Sequence, residues 1–560
     1  MSVSQFKLFH GLHFRNLRGD CFGGITAAIV ALPLALAFGV SSGAGATAGL
    51  YGAIFVGLFA ALFGGTPSQI SGPTGPMTVV MTTIFTSLIA EYGREAGLAM
   101  AFTIVMLGGM IQILFGIFKL GQYITLMPYT VISGFMSGIG VIIILLEFAP
   151  LLGHDPAPGV VESLKVIPDV LTHINPIAAG LGLLTLVIVF ASPAKVNRVL
   201  PAPLLALIVG TLISVLAFPN SDLHRIGDIP PGFPVLMPPA FSLSALKDMA
   251  GYSLMLAALG AIDSLLTSLV ADNITRTQHD SDRELIGQGI GNTISGLFGG
   301  LPGAGATMRT VINVQAGGRT PLSGIIHALV LLIIVLQAST LTEPIPHAVL
   351  AGILIKVGID IIDWAFLKRA HLLSLKGAGL MYLVLFLTVF VDLITAVAVG
   401  AFIANLLTVK NLTDLQVGNM QTISNPDQDA RLSALEQDLL AQLKGHVLLF
   451  CLGGPMSFGA AKSISQRMKI VEQYKILILD LSDVPRVGVT ASLAIENMLE
   501  GTLAKGCTIF LTGARGQVKD RLQRLDIIQR LPEEYWVGDR LQALQKSIEL
   551  IQKETQHAPS

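Results

Sequence analysis

Two stretches of this chain, GGTPSQISGPTGPMTVV at residues 64–80 and GGLPGAGATMRTVINV at residues 299–314, share the same landmarks. Each follows a Leu-Phe pair and opens with two glycines, and Pro67 lies 235 residues before Pro302. Glycine and proline interrupt helices, yet both stretches stand inside long hydrophobic runs. The chain therefore carries two broken segments of one kind in two separate places.

A second pair of segments indicates an internal repeat. MPYTVISGFMSGIGVII (127–143) matches IPHAVLAGILIKVGIDII (345–362), with their shared proline and glycines 218 residues apart. Two matched landmarks in the same order predict two related halves, which we place at about 15–220 and about 245–412.

The composition predicts a polytopic membrane protein. The 560 residues are 52% hydrophobic and only 13% charged, whereas soluble domains carry about 25% charge. Many apolar runs approach the roughly 20 residues that cross a bilayer. No nucleophile elbow, phosphate loop, paired hydrolytic carboxylates or histidine metal motif is present in the sequence. We therefore predict a protein that is not an enzyme and binds no organic cofactor.

We predict about fourteen crossings, of which the third and tenth are too short to span as full helices. They cover 21–42, 48–65, 76–90, 97–118, 128–150, 174–192, 199–218, 249–271, 284–300, 307–316, 320–340, 345–363, 377–391 and 392–410. Seven crossings per half is an odd number, so the halves are inverted with respect to each other. With a cytoplasmic N-terminus, basic residues lie mostly inside, as the positive-inside rule requires. This predicts that both termini are cytoplasmic.

Inverted repeats with paired, broken short helices are typical of secondary transporters and mark their substrate site. Half-helices that begin near Pro76 and Thr307 would direct their N-terminal dipoles toward one another, which favours an anion. Thr74 and Thr307 can add hydroxyl donors, and Arg309 can add positive charge. The alternative for Arg309 is a side chain that reaches the membrane interface.

Asp263 lies halfway along an apolar crossing, where an ionisable residue usually marks a functional site. Thr267 is four residues further on and shares its helix face, so the two can offer oxygen ligands to a small cation such as sodium. The alternatives are a proton relay through Asp263 and a structural ion pair with Arg309. We interpret Lys356 and Asp360 as a structural pair, and Glu147 as an interfacial residue.

Beyond the apolar region the chain is an ordinary soluble sequence. Strand-like runs at 446–452, 475–481 and 507–513 alternate with helix-like segments at 491–505 and 517–531, which predicts a small α/β domain. We place the transmembrane transport domain at 1–412, a polar linker at 413–440 and the soluble domain at 441–560.

The residues resemble the sulfate permease family of anion transporters (SLC26/SulP), and the likeness runs essentially end to end. It rests on motifs in the membrane region, and the tail is similar to the STAS domain of that family. The family motif is GGRTPLSG (317–324), preceded by GAGATMRTVINV. Five further motifs closely resemble the cyanobacterial sodium-dependent bicarbonate transporters of the family: HFRNLRGD (13–20), SGAGATAGLYGA (42–53), PYTVISGFMSGIG (128–140), IGQGIGN (286–292) and VGIDIIDWAFLKRAH (357–371). The resemblance implies core and gate domains, an elevator-type motion and a homodimer assembled through a cytosolic STAS domain.

Within that family, the residues are most similar to the cyanobacterial sodium-dependent bicarbonate transporters. The resemblance implies a bicarbonate site at Thr74, Ala306 and Thr307, to which the charge of Arg309 is added. It implies a sodium site at Asp263, Thr267, Gly305, Ala306 and Thr307.

The chain departs from the family pattern in two places. Many sulfate permeases have a glutamine in the first helix, where this chain has the apolar LPLALAFG (32–39), which weakens the case for a divalent anion. The STAS turn that is phosphorylated in anti-sigma-factor antagonists here contains Gly488, Val489, Thr490 and Ala491. Thr490 is a possible regulatory phosphosite, or it is a helix N-cap without a regulatory role.

These observations predict a sodium-coupled bicarbonate importer of the plasma membrane that binds no nucleic acid. The alternative transporter is a proton-coupled permease for sulfate or another oxyanion. From a different class, the chain could be a membrane-anchored STAS signalling protein with a vestigial transport domain.

Overall fold

The computed structural model describes residues 10–124, 128–157, 159–193, 196, 200–227, 234–242, 244–337, 342–391, 393–418, 420–424, 432–443, 445–457, 459, 461, 464, 474–526 and 531–556. The chain divides into two compact units, Met1–Ala401 and Phe402–Ser560. Lys7, Lys195 and Arg198, which contribute to the predicted excess of basic residues inside, lie outside the described residues.

The first half of the membrane unit consists of helices interrupted by one short strand. Its elements are α1 (Leu17–Ser41), α2 (Ala46–Phe63), β1 (Ser71–Gly72), α3 (Gly75–Tyr92), α4 (Arg94–Ile117), α5 (Gly121–Ile124), α6 (Tyr129–Leu151), α7 (Val160–Thr172), α8 (Pro176–Ala191) and α9 (Ala202–Ala217).

The second half repeats the pattern, with its own short strand after the second helix. Its elements are α10 (Leu246–Thr275), α11 (Ser281–Leu297), β2 (Ala304–Gly305), α12 (Thr307–Gln315), α13 (Pro321–Gln337), α14 (His347–Ile361), α15 (Trp364–Leu373), α16 (Leu375–Phe390) and α17 (Leu393–Gly418).

Each of the fourteen predicted crossings overlaps one of these helices. Within the described residues, six helices are long and apolar enough to cross a membrane, or seven if the bent pair α7 and α8 forms one span. Three further apolar helices, α9, α13 and α16, are shorter. The membrane domain is therefore helical and polytopic, and the number fourteen stays a prediction.

The second sequence landmark marks a close contact between equivalent helices of the two halves. A side chain on Gly140 in α6 would collide with the carbonyl group of Gly358 in α14, and a side chain on Gly358 would collide with the carbonyl group of Gly140. The absence of a side chain at both glycines therefore allows the backbones of α6 and α14 to approach each other closely.

The membrane helices pack into two groups, which we call the core group and the gate group. The core group contains α1–α4 and α10–α13, with α11 packed on both α2 and α4. The gate group contains α6–α9 and α14–α16, with α14 and α16 packed on α6. The groups touch where α1 meets α9 and α14 and where α3 meets α6.

The second unit is built on a five-stranded sheet in the order β3-β4-β5-β6-β7. Strand β3 is antiparallel to β4, and the other neighbours are parallel. The elements are β3 (Gln421–Ile423), α18 (Ala434–Gln442), β4 (Val447–Gly453), β5 (Ile476–Asp483), α19 (Val489–Ala504), β6 (Thr508–Thr512), α20 (Gly516–Arg524), β7 (Trp536–Val537) and α21 (Arg540–Gln556).

The continuous apolar runs in β4 and β5 bury residues on both faces of this sheet. Leu448 and Leu477 pack with side chains of α19 and α20, whereas Leu449 and Ile478 pack with side chains of α18 and α21. Since successive strand residues point to opposite faces, a sheet covered by helices on both sides needs such runs. This confirms the predicted α/β domain.

A buried group of charges joins the sheet to its flanking helices. Asp480 in β5 accepts hydrogen bonds from the hydroxyl groups of Ser482 (2.6 Å) and Thr512 (3.1 Å). Nε of Arg540 lies 3.4 Å from Asp480 and 3.3 Å from Glu436. Burial opposes the charge on Arg540, but the two carboxylates raise the pKa of its guanidinium above the usual value.

The segment predicted as a linker, 413–440, contains regular secondary structure, and its bounds as a linker stay a prediction. Helix α17 continues to Gly418, residues 421–423 form β3 of the sheet, and α18 begins at Ala434 behind a capping box of Ser433 and Glu436. Residues 419 and 425–431 of that segment lie outside the described residues. A short polar edge strand has too few apolar residues to be recognised before its partner β4 is known.

Candidate functional site

The two broken segments meet each other. Strand β1 pairs antiparallel with β2, with Ser71 opposite Gly305 and Gly72 opposite Ala304. Ser71 is equivalent to Ala304, and Gly72 to Gly305, at an offset of 233 residues. Ser71 therefore pairs with the equivalent of Gly72, and Gly72 pairs with the equivalent of Ser71. Thr74 and Thr307 are equivalent at the same offset. The pairing therefore places matching halves in opposite directions, as an inverted repeat does.

A helix follows each strand, and we call these two the half-helices. Helix α12 has only nine residues, as predicted, whereas α3 has 18, so its length does not support the prediction that it is too short to span. Helix α3 has Thr74 as its N-cap and Pro76 in its first turn, and α12 begins at Thr307 after the N-cap Ala306. The starts near Pro76 and Thr307 were predicted to within one residue. The first turn of a helix has N–H groups without intrahelical partners and carries the positive end of the dipole. The backbone N–H of Ala306 is not among the free donors, because it donates to the carbonyl of Ile70 at 2.8 Å.

Helix α10 contacts the starts of both half-helices, through Asp263 at α3 and through Thr267 at α12. The hydroxyl group of Thr74 donates to Oδ2 of Asp263 at 2.8 Å. The hydroxyl group of Thr267 donates to the carbonyl of Gly305 at 2.9 Å and lies 2.8 Å from that of Thr307. A carboxylate, three hydroxyl groups and a backbone carbonyl therefore lie where α10 passes the paired strands. The structure brings Thr74 to Asp263, and it brings Thr267 to Gly305 and Thr307; the binding of an anion and a cation by these residues stays a prediction.

Most of this site is closed to solvent. Asp263 is 8% exposed and Thr267 is fully buried, whereas Thr307 is exposed. Asp263 also contributes to a narrow apolar cavity between α10, α6 and α17, lined by Phe135, Met136 and Val397 among others. The cavity has a volume of about 10 Å³, which is room for about one water molecule.

Arg309 is the third residue of α12, and its side chain is directed toward the first broken segment. Its side chain is 2% exposed, packs against Gly72 and donates from Nη2 to the carbonyl of Pro73. The ion pairs found among the described residues do not include one between Arg309 and Asp263. The alternatives of an interfacial side chain and of a direct ion pair are therefore wrong, and any effect of Arg309 on an anion comes from its charge and from the position of Pro73.

A clamp that the sequence did not reveal holds the first broken segment in place. Glu284 of α11 is 1% exposed and accepts from the backbone N–H groups of Gly65 and Thr66, both at 2.9 Å. It also accepts from the side-chain amides of Gln69 (2.7 Å) and Gln288 (2.8 Å). The sequence shows a carboxylate and an amide, Glu284 and Gln288, on one helix face at the start of a crossing. This spacing does not identify a partner such as Gly65, which is 219 residues away.

Replacing Glu284 by alanine is expected to destabilise the membrane unit. Four buried donors would lose their acceptor, and one unsatisfied buried group alone costs about 1–3 kcal/mol. The expected result is a fall in the melting temperature of the purified protein in detergent. The control is Glu95→Ala, which removes an exposed carboxylate. Equal melting temperatures for the two variants would contradict the role of this clamp.

The structure also describes the remaining charged and regulatory candidates. Lys356 and Asp360 form the predicted ion pair on α14. Thr490 is exposed in the first turn of α19. Gly488 is the N-cap residue of that helix, so the interpretation of Thr490 as an N-cap is wrong. Its phosphorylation stays a prediction.

The fold and site define a class of protein. Two inverted halves that place broken helices around a buried carboxylate form the binding site of a secondary transporter. The chain belongs to the sulfate permease family: the model of that family matches residues 17–384, and the model of the STAS domain matches residues 438–542. It is therefore a membrane transporter with a STAS domain, and not an enzyme.

Relatives extend along the whole chain. The chain is 53% identical to the bicarbonate transporter BicA of Synechocystis sp. over 99% of this chain and 98% of the relative. It is 53% identical to the protein of the same name in Picosynechococcus sp., over 97% and 96% of the two chains. A putative sulfate transporter of Bacillus subtilis, YvdB, is 30% identical over 94% and 97%.

Solved structures agree on the fold. The transmembrane domain of a cyanobacterial BicA is 56% identical, with a TM-score of 0.66 over 70% of this chain and all of that one. The murine anion transporter Slc26a9 is only 20% identical, yet it has a TM-score of 0.83 over 98% and 96% of the two chains. At that identity the likeness supports the fold alone, which is a helical membrane domain followed by a STAS domain.

Proposed function

We propose that this chain imports bicarbonate together with sodium. The observation that carries the proposal is the hydrogen bond between Thr74 and Asp263, because it joins an N-terminal residue of one half-helix to the buried carboxylate. An anion at the half-helix ends and a cation beside Asp263 would then be neighbours. The whole-chain identity to two proteins named bicarbonate transporters supports the choice of anion.

In this proposal the anion is held by the N-terminal ends of α3 and α12. The hydroxyl groups of Thr74 and Thr307 and the backbone of Ala306 lie at these ends. Free N–H groups and the helix dipoles stabilise a small anion there. The positive charge of Arg309 acts from behind Pro73 and adds to the attraction.

Sodium is the proposed co-transported cation. The oxygen atoms of Thr267, Gly305 and Thr307 contact one another beside the paired strands, with Ala306 between the last two in the chain. Asp263 is one helical turn before Thr267 on α10 and is the proposed fourth ligand. Small hard cations prefer oxygen ligands, and unwound backbone carbonyls are common sodium ligands in transporters. Sodium would neutralise the carboxylate that repels the anion. Each ion therefore favours binding of the other.

Movement of the core group against the gate group is the proposed transport step, as in an elevator mechanism. The site residues Thr74, Asp263 and Thr307 all belong to the core group. Their mutual hydrogen bonds can consequently stay intact while the core group changes its position against α6 and α14. Rigid-body motion around a fixed site is the usual form of alternating access.

We also propose that the transporter lies in the plasma membrane with both termini cytoplasmic, and that it forms a homodimer through its STAS domain. The positive-inside distribution of basic residues supports this orientation. The protein mass in detergent should be twice the 59.1 kDa of one chain. A mass of 59.1 kDa for the purified full chain would contradict the dimer.

The function is tested by uptake of labelled bicarbonate into proteoliposomes with and without an inward sodium gradient. Sodium-dependent uptake is the expected result. The second candidate is a proton-coupled permease for sulfate or another oxyanion, which the identity to YvdB favours. Uptake of sulfate under a proton gradient, with no response of bicarbonate to sodium, would overturn the proposal in favour of this candidate.

A further inference from the structure

A second buried carboxylate lies outside the ion site. Glu147 stands near the end of α6, where it was predicted to be interfacial, and its side chain is buried within the protein at 5% exposure. Its Oε1 accepts a hydrogen bond from the hydroxyl group of Ser41 at 2.5 Å. A buried carboxyl group needs a hydrogen-bond partner, and Ser41 supplies one here.

This hydrogen bond crosses between the two helix groups. Ser41 is the last residue of α1 in the core group, and Glu147 belongs to α6 in the gate group. The hydrogen bonds of the ion site, such as Thr74 to Asp263, stay within the core group. Thr82 of α3 approaches the same point, with its hydroxyl group 3.4 Å from the carbonyl of Ser41.

A cavity of about 230 Å³ lies beside this contact. It is bounded by α3 of the core group and by α6, α7 and α16 of the gate group, with Thr82, Leu146, Glu162 and Thr388 among its lining residues. The lining residue of α3 nearest to the ion site is Val79. It is five residues from Thr74, which is roughly 7 Å along a helix. The cavity therefore approaches the proposed anion site along α3.

We propose that the Ser41–Glu147 hydrogen bond is a latch that holds the core group against the gate group on the side of this cavity. While the latch is closed, α1 and α3 stay against α6, and the cavity does not reach Thr74. The latch opens when the core group moves and the ion site faces the cavity. Ser41 and Glu147 are thus positioning residues for transport. This inference rests on the proposed movement of the core group.

The latch is tested by the accessibility of the cavity. Thr83→Cys supplies a reporter, because Thr83 lines the cavity and its hydroxyl group donates to the carbonyl of Val79 in its own helix at 3.3 Å. Intact cells are treated with a membrane-impermeant methanethiosulfonate, and the rate of modification is measured. The chain without the reporter gives the background of its three cysteines.

Ser41→Ala and Glu147→Ala, each combined with Thr83→Cys, are expected to raise the modification rate several-fold. Their double variant should react no faster than the faster single variant, because both remove the same bond. Glu147→Gln should give a smaller rise, since its amide oxygen still accepts. The matched control is Ser42→Ala, whose hydroxyl group donates to the carbonyl of Gly39 at 2.9 Å and accepts from the N–H of Ala44 at 3.3 Å, both in its own segment of the chain.

Unchanged modification rates in both alanine variants would overturn the latch, as would an equal rise in Ser42→Ala. Size-exclusion profiles of the purified variants separate a folded protein from a misfolded one, and Glu147→Gln provides a milder change if an alanine variant misfolds. The readout needs neither bicarbonate nor sodium. A faster reaction in a protein whose uptake ignores sodium would support the latch and contradict the coupling. Sodium-dependent uptake with unchanged reaction rates would do the reverse.

Discussion

Asp263→Asn is expected to reduce sodium-dependent bicarbonate uptake strongly while the protein stays folded. Asparagine has nearly the same shape as aspartate and can still accept the hydrogen bond from Thr74, which is 2.8 Å long in the present structure. It lacks the negative charge that the proposed sodium ion would balance. Coupling between two bound ligands typically changes affinity by about 5- to 150-fold. We therefore expect uptake at limiting sodium to decrease by about 5- to 150-fold.

The measurement is the initial rate of uptake of labelled bicarbonate into proteoliposomes over a series of sodium concentrations. The control is Asp360→Asn, which removes a half-exposed carboxylate from α14, 97 residues after Asp263 in the chain. Wild-type sodium dependence in Asp263→Asn would place the cation elsewhere. Loss of uptake in both variants would point to a general effect of removing charge from the membrane unit.

Gly303→Ala is expected to separate the two broken segments and to stop transport. A Cβ on Gly303 would lie 2.8 Å from the Cα of Gly72, where only backbone is available to move. Gly303 cannot move away easily, because its N–H donates to Asn292 at 2.7 Å and its carbonyl accepts from Asn292 at 2.9 Å. Overpacking of this kind costs about 1–3 kcal/mol.

Uptake and the melting temperature are both measured for Gly303→Ala, and both should fall. Gly251→Ala serves as the matched control, because a Cβ at Gly251 in α10 meets nothing within 4 Å. Alanine in a helix interior is favoured over glycine by up to about 1 kcal/mol, so this control should be neutral or slightly stabilising. Normal uptake by Gly303→Ala would show that the close approach of the segments is not needed for transport.

The ion site is a product of hydrogen bonds between distant parts of the chain. Thr74 and Asp263 are 189 residues apart, and Arg309 and Pro73 are 236 residues apart. Glu284 fixes the segment at Gly65 and Thr66 from the second half of the chain. Since each half supplies parts that the other half needs, neither half by itself contains a complete site.

Local features of the sequence were sufficient to predict the helical membrane domain, the two broken segments and the apolar strands of the STAS domain. Glycine and proline constrain the backbone wherever they stand, and apolar runs respond to their immediate solvent. For this reason the start of α12 at Thr307 and the functional importance expected of a buried Asp263 could be read without a structure. The inverted arrangement followed from counting crossings in two matched halves.

Only the tertiary structure decided which groups contact one another. A side chain such as Arg309 or Glu147 has the same local sequence whether it reaches the interface or is buried, and its environment depends on helices far away in the chain. Arg309 bonds to Pro73, Glu147 bonds to Ser41, and β3 becomes a strand because β4 offers it an edge. The physical reason is that hydrogen bonds and burial are properties of pairs, whereas helix breaking and hydrophobicity are properties of single residues and their neighbours.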